Sequence, residues 1–366
     1  MKRRGQRGFT LVELMVALAI SSIFVMMVLS VFARMSTAYR RQQQVASLQV
    51  ILAAAQNMIS QDARQAGFQM AQGFKVAAAP ADVQRPVQFT NDDVGPDELR
   101  LYAADATVQA RVEPGGWSPS PAPNLEVDLD SNPFVDGELA VLVNSDTADV
   151  TVGGVSRKVS QFKACVVRVF LTGNALRLNL DTAPPWGSAT NSHCDEVRDA
   201  HNSGPSQFQT MIYRFRPRAY RIDPARPALG VLQRSPSGTL VANDWEDLGI
   251  GFADLQVAAR MFTSGDAVDE DGDGDPEYEW VSGAPLDGLT AANAAAAVTR
   301  LTVSLSARTD RSVDGVASAA TPSFLGAGDP DYNDLGDHPS VALPNGDRIY
   351  RYSTSRLDMR NTGAGL

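Results

Sequence analysis

The chain has 366 residues, of which 44% are hydrophobic and 20% are charged. This composition can supply a sizeable apolar core and excludes disorder along the whole chain. The formal net charge of −10 argues against nucleic-acid binding, which relies on clustered basic residues.

The chain begins with a short basic leader, residues 1–8, followed by an apolar run over residues 9–33. A helix of this length crosses a hydrocarbon core of about 30 Å. The leader cations predict that the amino end stays in the cytoplasm and that the rest is exported. One acid, Glu13, interrupts the run. A charge inside a spanning helix costs roughly 2.5–3.5 kcal/mol, so Glu13 is predicted to have a function and a partner.

The junction between leader and apolar run resembles that of the type IV prepilins. The residues that carry the resemblance are Gly8-Phe9-Thr10-Leu11-Val12-Glu13-Leu14. In that family a dedicated prepilin peptidase cuts after the glycine and methylates the new amine. The resemblance implies cleavage after Gly8, N-methylation of Phe9, and pairing of Glu13 with the terminal ammonium of a neighbouring subunit in the filament core. A plain single-span anchor with an incidental acid is the alternative.

The next predicted element is a long helix over residues 9–67, because no proline precedes Pro80 and no glycine lies between Phe9 and Gly67. Residues 9–33 form its transmembrane and filament-core part. Residues 34–67 are amphipathic, with one apolar stripe at spacings of three and four: Val45, Leu48, Leu52, Ala55, Ile59, Ala63 and Ala66. Gly67 is predicted to end the helix.

Residues 68–366 are predicted to form an exported β-rich head, because the hydrophobic period changes to two after Gly67. The predicted fold class is α+β. It is similar to the type IV pilin fold, with the long helix packed on an enlarged antiparallel sheet. The candidate strands are 99–103, 139–143, 162–171, 175–180, 210–215, 255–262, 298–307 and 349–359, with long connections at 113–123, 184–209 and 310–347 and a short helix at 289–298.

Cys165 and Cys194 lie 29 residues apart in the exported part of the chain. An oxidising compartment favours a disulfide between them. His193 adjoins Cys194 and His201 follows, so a metal-binding or nucleophilic thiol is the alternative, although no metal-ligand spacing accompanies it.

An acidic loop at residues 269–277 is a candidate calcium site, because hard cations prefer several oxygen ligands. Its acids alternate along the loop: Asp269, Asp271, Asp273, Asp275 and Glu277. The twelfth position is Trp280 rather than a bidentate glutamate, which excludes a full EF-hand. A solvated turn rich in Asp and Gly is the alternative.

No motif of an enzyme is found, since the sequence contains no GxSxG, Walker, GxGxxG or HExxH pattern. His193, His201 and His338 lie in loop-like sequence and are expected at the surface. The protein is therefore predicted not to be an enzyme, and no cofactor is expected besides the calcium considered above.

The carboxyl half resembles the PilW class of minor pilins, through residues 245–248, 254–257, 298–305, 350–351 and 356–361. The resemblance implies a structural role in the tip or priming complex of a type IV pilus, with functions in adhesion and twitching motility. The implied partners are other minor pilins, the major pilin, a PilY-type tip adhesin, the prepilin peptidase and the inner-membrane assembly platform. The alternatives are a GspJ-like minor pseudopilin of type II secretion and a membrane-anchored periplasmic enzyme or calcium-dependent binder.

Overall fold

A computed structural model describes residues 10–70, 73–77, 79–90, 95–118, 124–128, 133–152, 155–172, 177–183, 186–188, 191–202, 210–238, 240, 244–262, 278–281, 297–309 and 349–359. The chain divides into two compact units, Met1–Val50 and Ile51–Leu366.

The first helix, α1, spans Leu11–Gln65 and has 55 residues. The predicted apolar stripe is buried along its last four turns, at Leu52, Ala55, Ile59, Ala63 and Ala66. Gly67 ends the helix as predicted: its φ is +80°, and its amide donates to the carbonyl of Tyr102 at 2.9 Å. This left-handed conformation favours glycine, since other residues adopt it at a steric cost.

Fifteen strands are described, and with them a single turn of 3-10 helix at Ser192–Cys194 and a second helix, α2, at Asp195–Asn202. The strands are β1 Phe74–Val76, β2 Ala79–Gln84, β3 Val87–Thr90, β4 Glu98–Ser118, β5 Asn124–Val127, β6 Glu138–Val152, β7 Val155–Leu171, β8 Arg177–Leu180, β9 Thr210–Ile222, β10 Leu232–Ser235, β11 Glu246–Gly249, β12 Phe252–Phe262, β13 Tyr278–Val281, β14 Ala297–Arg308 and β15 Tyr350–Asp358.

The first eleven strands form one sheet whose pairing closes on itself. Six antiparallel strands make a ring in the order β9, β4, β5, β8, β7, β6 and back to β9. Strands β10 and β11 extend the sheet from β9, β3 pairs with β4, and β1 pairs with β2. The one parallel pair described is β1 with β7. The structure is thus a long apolar helix followed by a large, mostly antiparallel sheet.

The core of the ring is an apolar cluster to which all six of its strands contribute, with Val112, Leu125, Leu142, Val167, Leu178 and Ile212 among its members. Cys194 and Val197, from the 3-10 turn and α2, belong to the same cluster. Cys165 of β7 and Cys194 form a disulfide with a Cα–Cα distance of 5.3 Å, which is the predicted pairing. The disulfide therefore fixes the start of α2 to the ring.

The remaining strands form a second sheet in the order β13, β12, β14, β15. The alternation of β14 predicts one buried and one solvated face. In the structure, however, the polar residues Thr302, Ser304 and Ser306 are as buried as Leu301 and Val303. The expectation of a half-buried strand is therefore wrong for β14, because alternation reports side-chain polarity and not whether other chain segments cover a face.

The end of α1 contacts both sheets. Gln56 Nε2 donates to the carbonyl of Val303 in β14 at 3.1 Å, and the hydroxyl of Tyr220 in β9 donates to Asp62 Oδ2 at 2.5 Å. Burial and the neighbouring Asp62 carboxylate raise the pKa of Tyr220 far above its usual range. The helix segment after Val50 is consequently part of the core of the head.

Every candidate strand overlaps an observed one, but two of the three predicted connections contain helix or strand residues. Strand β4 continues to Ser118, into the predicted connection 113–123. The connection 184–209 contains α2, whose eight residues are too few for a clear helical period. The predicted helix 289–298 lies mainly outside the described residues, and its last two residues begin β14.

Candidate functional site

Thr10 and Glu13 form a capping box at the start of α1. The Glu13 Oε2 atom accepts hydrogen bonds from the Thr10 amide at 3.0 Å and from the Thr10 hydroxyl at 3.1 Å. The amide of Glu13 donates in return to Thr10 Oγ1 at 3.3 Å. Such reciprocal bonds satisfy amides that a helix start leaves unpaired, and a carboxylate there interacts favourably with the helix dipole. The cap thus places Glu13 in the first turn with a defined orientation.

The two hydrogen bonds from Thr10 to the Glu13 carboxylate both end on one oxygen, Oε2. Among the described residues, Glu13 Oε1 accepts no hydrogen bond, and the side chain is exposed. An ionised carboxylate has about four acceptor positions. Glu13 can therefore cap its own helix and accept a further cationic donor at the same time.

Residues 11–39 of α1 expose their large apolar side chains on every side of the helix. Leu11 is 77% exposed and Phe32 70%, and exposed apolar residues occur at nearly all intervening positions. Of the helices in the described residues, α1 is the one long and apolar enough to cross a membrane. A helix that is apolar all round needs an apolar environment outside its own chain, such as lipid or other helices.

Three hydroxyl groups within and just after this apolar segment bond to their own helix. Ser22 Oγ donates to the carbonyl of Ala19 and Ser30 Oγ to that of Met27, both at 2.8 Å, and Thr37 Oγ1 donates to the carbonyl of Ala33 at 3.0 Å. Internal bonds of this kind remove the need for water, so the segment is compatible with a hydrocarbon environment.

Residues 3–29 match the family model of the prokaryotic N-terminal methylation motif. The match covers most of the leader, the capping box and most of the apolar run, and it supports a place in the prepilin family for this segment. Searches of curated proteins and of solved structures gave no match. The class of protein therefore rests on the amino-terminal segment.

The motif implies processing by a prepilin peptidase and assembly with other pilins in a membrane system. Together with the exposed apolar helix, it fits a single-pass anchor in the inner membrane. Gly8 and Phe9, the predicted cleavage and methylation sites, lie outside the described residues. Their roles stay predictions. Thr10 was not predicted as a cap, although the pattern Thr-x-x-Glu before an apolar run was readable in the sequence.

The two central histidines are buried, so the expectation of surface positions is wrong for both. His193 Nε2 lies 3.0 Å from the carbonyl of Val166, and burial lowers the pKa of His193 even though that bond and Asp195 act to raise it. His201 lies between Thr210 Oγ1 at 3.0 Å and the carbonyl of Glu113 at 3.1 Å. Both histidines therefore help to hold the 3-10 turn and α2 against the ring.

The candidate calcium loop, 269–277, lies outside the described residues, as does His338. In the part of the chain that is described, no group of three or more His, Cys, Asp or Glu side chains is arranged to hold a metal ion. The thiols of Cys165 and Cys194 are joined to each other in the structure.

Proposed function

We propose that the protein is a minor pilin of the PilW type, with a structural role in the tip or priming complex of a type IV pilus. The observation that carries the proposal is the capped Glu13 at the start of a helix whose apolar side chains have no cover within their own unit. Such a helix is suited to a bundle of like helices. The head would adopt an enlarged form of the type IV pilin fold.

Glu13 is proposed to pair with the terminal ammonium that cleavage after Gly8 creates on Phe9 of a neighbouring subunit. Opposite charges attract strongly in a medium of low dielectric, and each would be costly there alone. The unused oxygen of Glu13 supports this pairing, because an ammonium donor can approach without breaking the cap. Loss of the four leader cations leaves 28 basic residues against 42 acidic ones, a formal charge of −14.

A low-copy position is proposed from the size of the head. Some 300 residues follow α1, and many copies of a bulky acidic domain would crowd and repel one another along a thin fibre. At the tip, the protein would contact other minor pilins, the first major pilin subunits and a PilY-type adhesin. Before assembly it would stay in the inner membrane with its amino end in the cytoplasm and its head in the periplasm.

The role is proposed to be structural and not enzymatic. In support, the described part of the head places its buried histidines in bonds to carbonyl and hydroxyl oxygens, and its cysteines in a disulfide. Calcium in the loop 269–277 remains a separate proposal. It predicts a melting temperature that rises with calcium in the native chain and does not rise in Asp271→Ala.

The proposal is tested by expressing Glu13→Ala in cells that lack the native chain. We expect normal amounts of processed protein in the inner membrane and none in sheared filaments. The matched control is Glu196→Ala, which removes a carboxylate that is 61% exposed on the head and should leave incorporation unchanged. Incorporation of Glu13→Ala at the native level would contradict the proposed ion pair.

Deletion of the gene separates a pilus from a secretion pseudopilus. A minor pilin predicts loss of surface pili with secretion intact, whereas a GspJ-like pseudopilin predicts the reverse.

Mass spectrometry of the purified chain checks the processing step, for which we expect an amino terminus at methylated Phe9. A leader that stays attached in cells with active peptidase would contradict membership of the processed class.

A further inference from the structure

Three arginines lie on one face of strand β9 and line a cavity in the head. Arg214, Arg216 and Arg218 are two residues apart, so their side chains project from the same side of the strand. The cavity has a volume of about 480 Å³, within the range of about 300–1,000 Å³ typical of ligand pockets. Its lining residues are Asp105, Glu138, Leu139, Arg214, Phe215, Arg216, Pro217, Arg218 and Pro236. We call it the arginine pocket.

The outer two arginines are bonded to the protein itself. The Arg214 guanidinium pairs with Glu138 and lies 3.9 Å from Asp105. Arg218 Nη1 donates to the carbonyl of Pro217 at 2.7 Å and to that of Pro236 at 3.4 Å. These bonds hold the two side chains in place at the two ends of the row.

The central arginine is different. Arg216 lies 3.8 Å from Asp105, beyond hydrogen-bonding distance, and its side chain is 39% exposed. Within the part of the chain that is described, the Arg216 side chain makes no hydrogen bond. A guanidinium has five N–H donors in a planar fork, which matches the two oxygens of a carboxylate. Arg216 therefore presents an unused bidentate donor to the pocket.

The pocket also contains acceptors. Burial acts to raise the pKa of Asp105, but hydrogen bonds from Thr107 and the charges of Arg216 and Arg214 hold that pKa below its usual value. Asp105 is thus a carboxylate at neutral pH. The lining holds three guanidinium groups and two carboxylates, and a third carboxylate, Asp62 of α1, lies outside the lining with its Oδ2 atom 3.9 Å from Arg218 Nε.

We propose that the arginine pocket binds an acidic side chain, with its flanking peptide, from another protein subunit. The bidentate donor of Arg216 would take the carboxylate. Asp105 and Glu138 would accept from peptide N–H groups, whereas they would repel a multiply charged phosphate. Leu139 and Pro236 supply apolar surface for the flanking residues. The proposal rests on the geometry of the head and does not depend on the assignment to a pilus.

The test uses the full chain in detergent micelles and a fluorescein-labelled hexapeptide that carries one Asp and one Glu between glycines. Fluorescence anisotropy should show saturable binding that weakens as salt is raised, because salt screens the charges. Arg216→Gln should weaken binding by about tenfold, the scale of one lost charge-assisted hydrogen bond. Arg216→Lys keeps the charge but not the planar fork, so its affinity for the peptide should lie between that of the native chain and that of Arg216→Gln.

The matched control is Arg300→Gln in β14, which removes a guanidinium of similar exposure, 37%, in the other sheet. It should leave binding unchanged. Three results would overturn the proposal: equal binding by native chain and Arg216→Gln, equal binding of the Asn/Gln analogue of the peptide, or inorganic phosphate binding as tightly as the peptide. Since no filament is involved, these results are independent of the outcome for Glu13→Ala.

Discussion

Residues 11–39 expose their large apolar side chains, whereas the six-stranded ring of the head buries its own around one core. The first region takes its stability from surroundings outside the chain, and the second is stabilised by contacts within it. A segment that depends on external partners carries a recognisable motif, while a self-contained core carries packing information and no motif of its own.

The comparison predicts that changes in the head alter its unfolding and leave the helix segment unaffected. The largest expected effect is that of the disulfide. Replacing both Cys165 and Cys194 by alanine should lower the free energy of unfolding by roughly 3–4 kcal/mol, the loop-closure estimate for a loop of this size. All four tryptophans lie in the head, so tryptophan fluorescence in urea follows its unfolding in the full chain. Reductant should destabilise the native chain and not the variant; an equal response would contradict a formed bridge.

A smaller effect is expected at the contact between α1 and strand β9. Tyr220→Phe removes the hydroxyl that donates to Asp62, and hydrogen bonds to charged groups contribute about 1.5–3 kcal/mol. The urea midpoint of the head should fall accordingly. Tyr39→Phe makes the same chemical change at a side chain that is 68% exposed in the first unit. It should change the free energy of unfolding by less than about 0.5 kcal/mol. Equal effects of Tyr220→Phe and Tyr39→Phe would show that the bond to Asp62 does not stabilise the head.

A change in the helix cap is expected to affect the start of α1 and to leave the stability of the head unchanged. Thr10→Ala removes the capping bonds to Glu13 and should cost about 1 kcal/mol of local helix stability. Hydrogen exchange of the full chain in micelles should show faster exchange in the first turn of α1. The urea midpoint of the head should not change. Restoration of slow exchange by Thr10→Ser, which can form the same bonds, would assign the effect to the cap.

The smallest expected effect is a pH dependence from His193. Burial lowers its pKa in the folded chain, so the unfolded chain binds more protons below its ordinary pKa of about 6.5. The stability that neutral His193 contributes is therefore present above that value and is lost as pH falls through it. The melting temperature should fall between pH 7.5 and pH 5.5, and the fall should be larger for the native chain than for His193→Gln. Equal differences would show that His193 is not the group responsible.

Sequence patterns located the long elements of this fold and the short strand β8, but missed the other short elements. The stripe from Leu52 to Ala66 repeats often enough to define a helix face, and β14 is long enough to show its alternation. Strand β11, Glu246–Gly249, consists mostly of exposed residues. It exists because it pairs with β10, which no local period reveals. The closure of the ring likewise depends on pairing between strands distant in sequence.

The two sites also differ in how far the sequence predicts them. Glu13 was predictable because an acid within an apolar run is costly and the residues around it form a known motif. The arginine pocket was not predicted, although Arg214, Arg216 and Arg218 alternate visibly. Alternating arginines also occur on ordinary solvated strands, and only the fold brings Asp105 and Glu138 beside them. The difference is that one site is continuous in sequence and the other is assembled from three strands.

The closed pairing of the ring has a consequence for how copies of this protein meet. In a closed ring no strand is outermost, so strands β4 to β9 offer few unpaired backbone amides and carbonyls to another chain. Open sheet edges allow proteins to join by backbone pairing regardless of sequence, and that is a common route to aggregation. Contacts made through the ring must instead depend on side chains. Proteins held close together in a membrane can then associate selectively, by the identity of their residues.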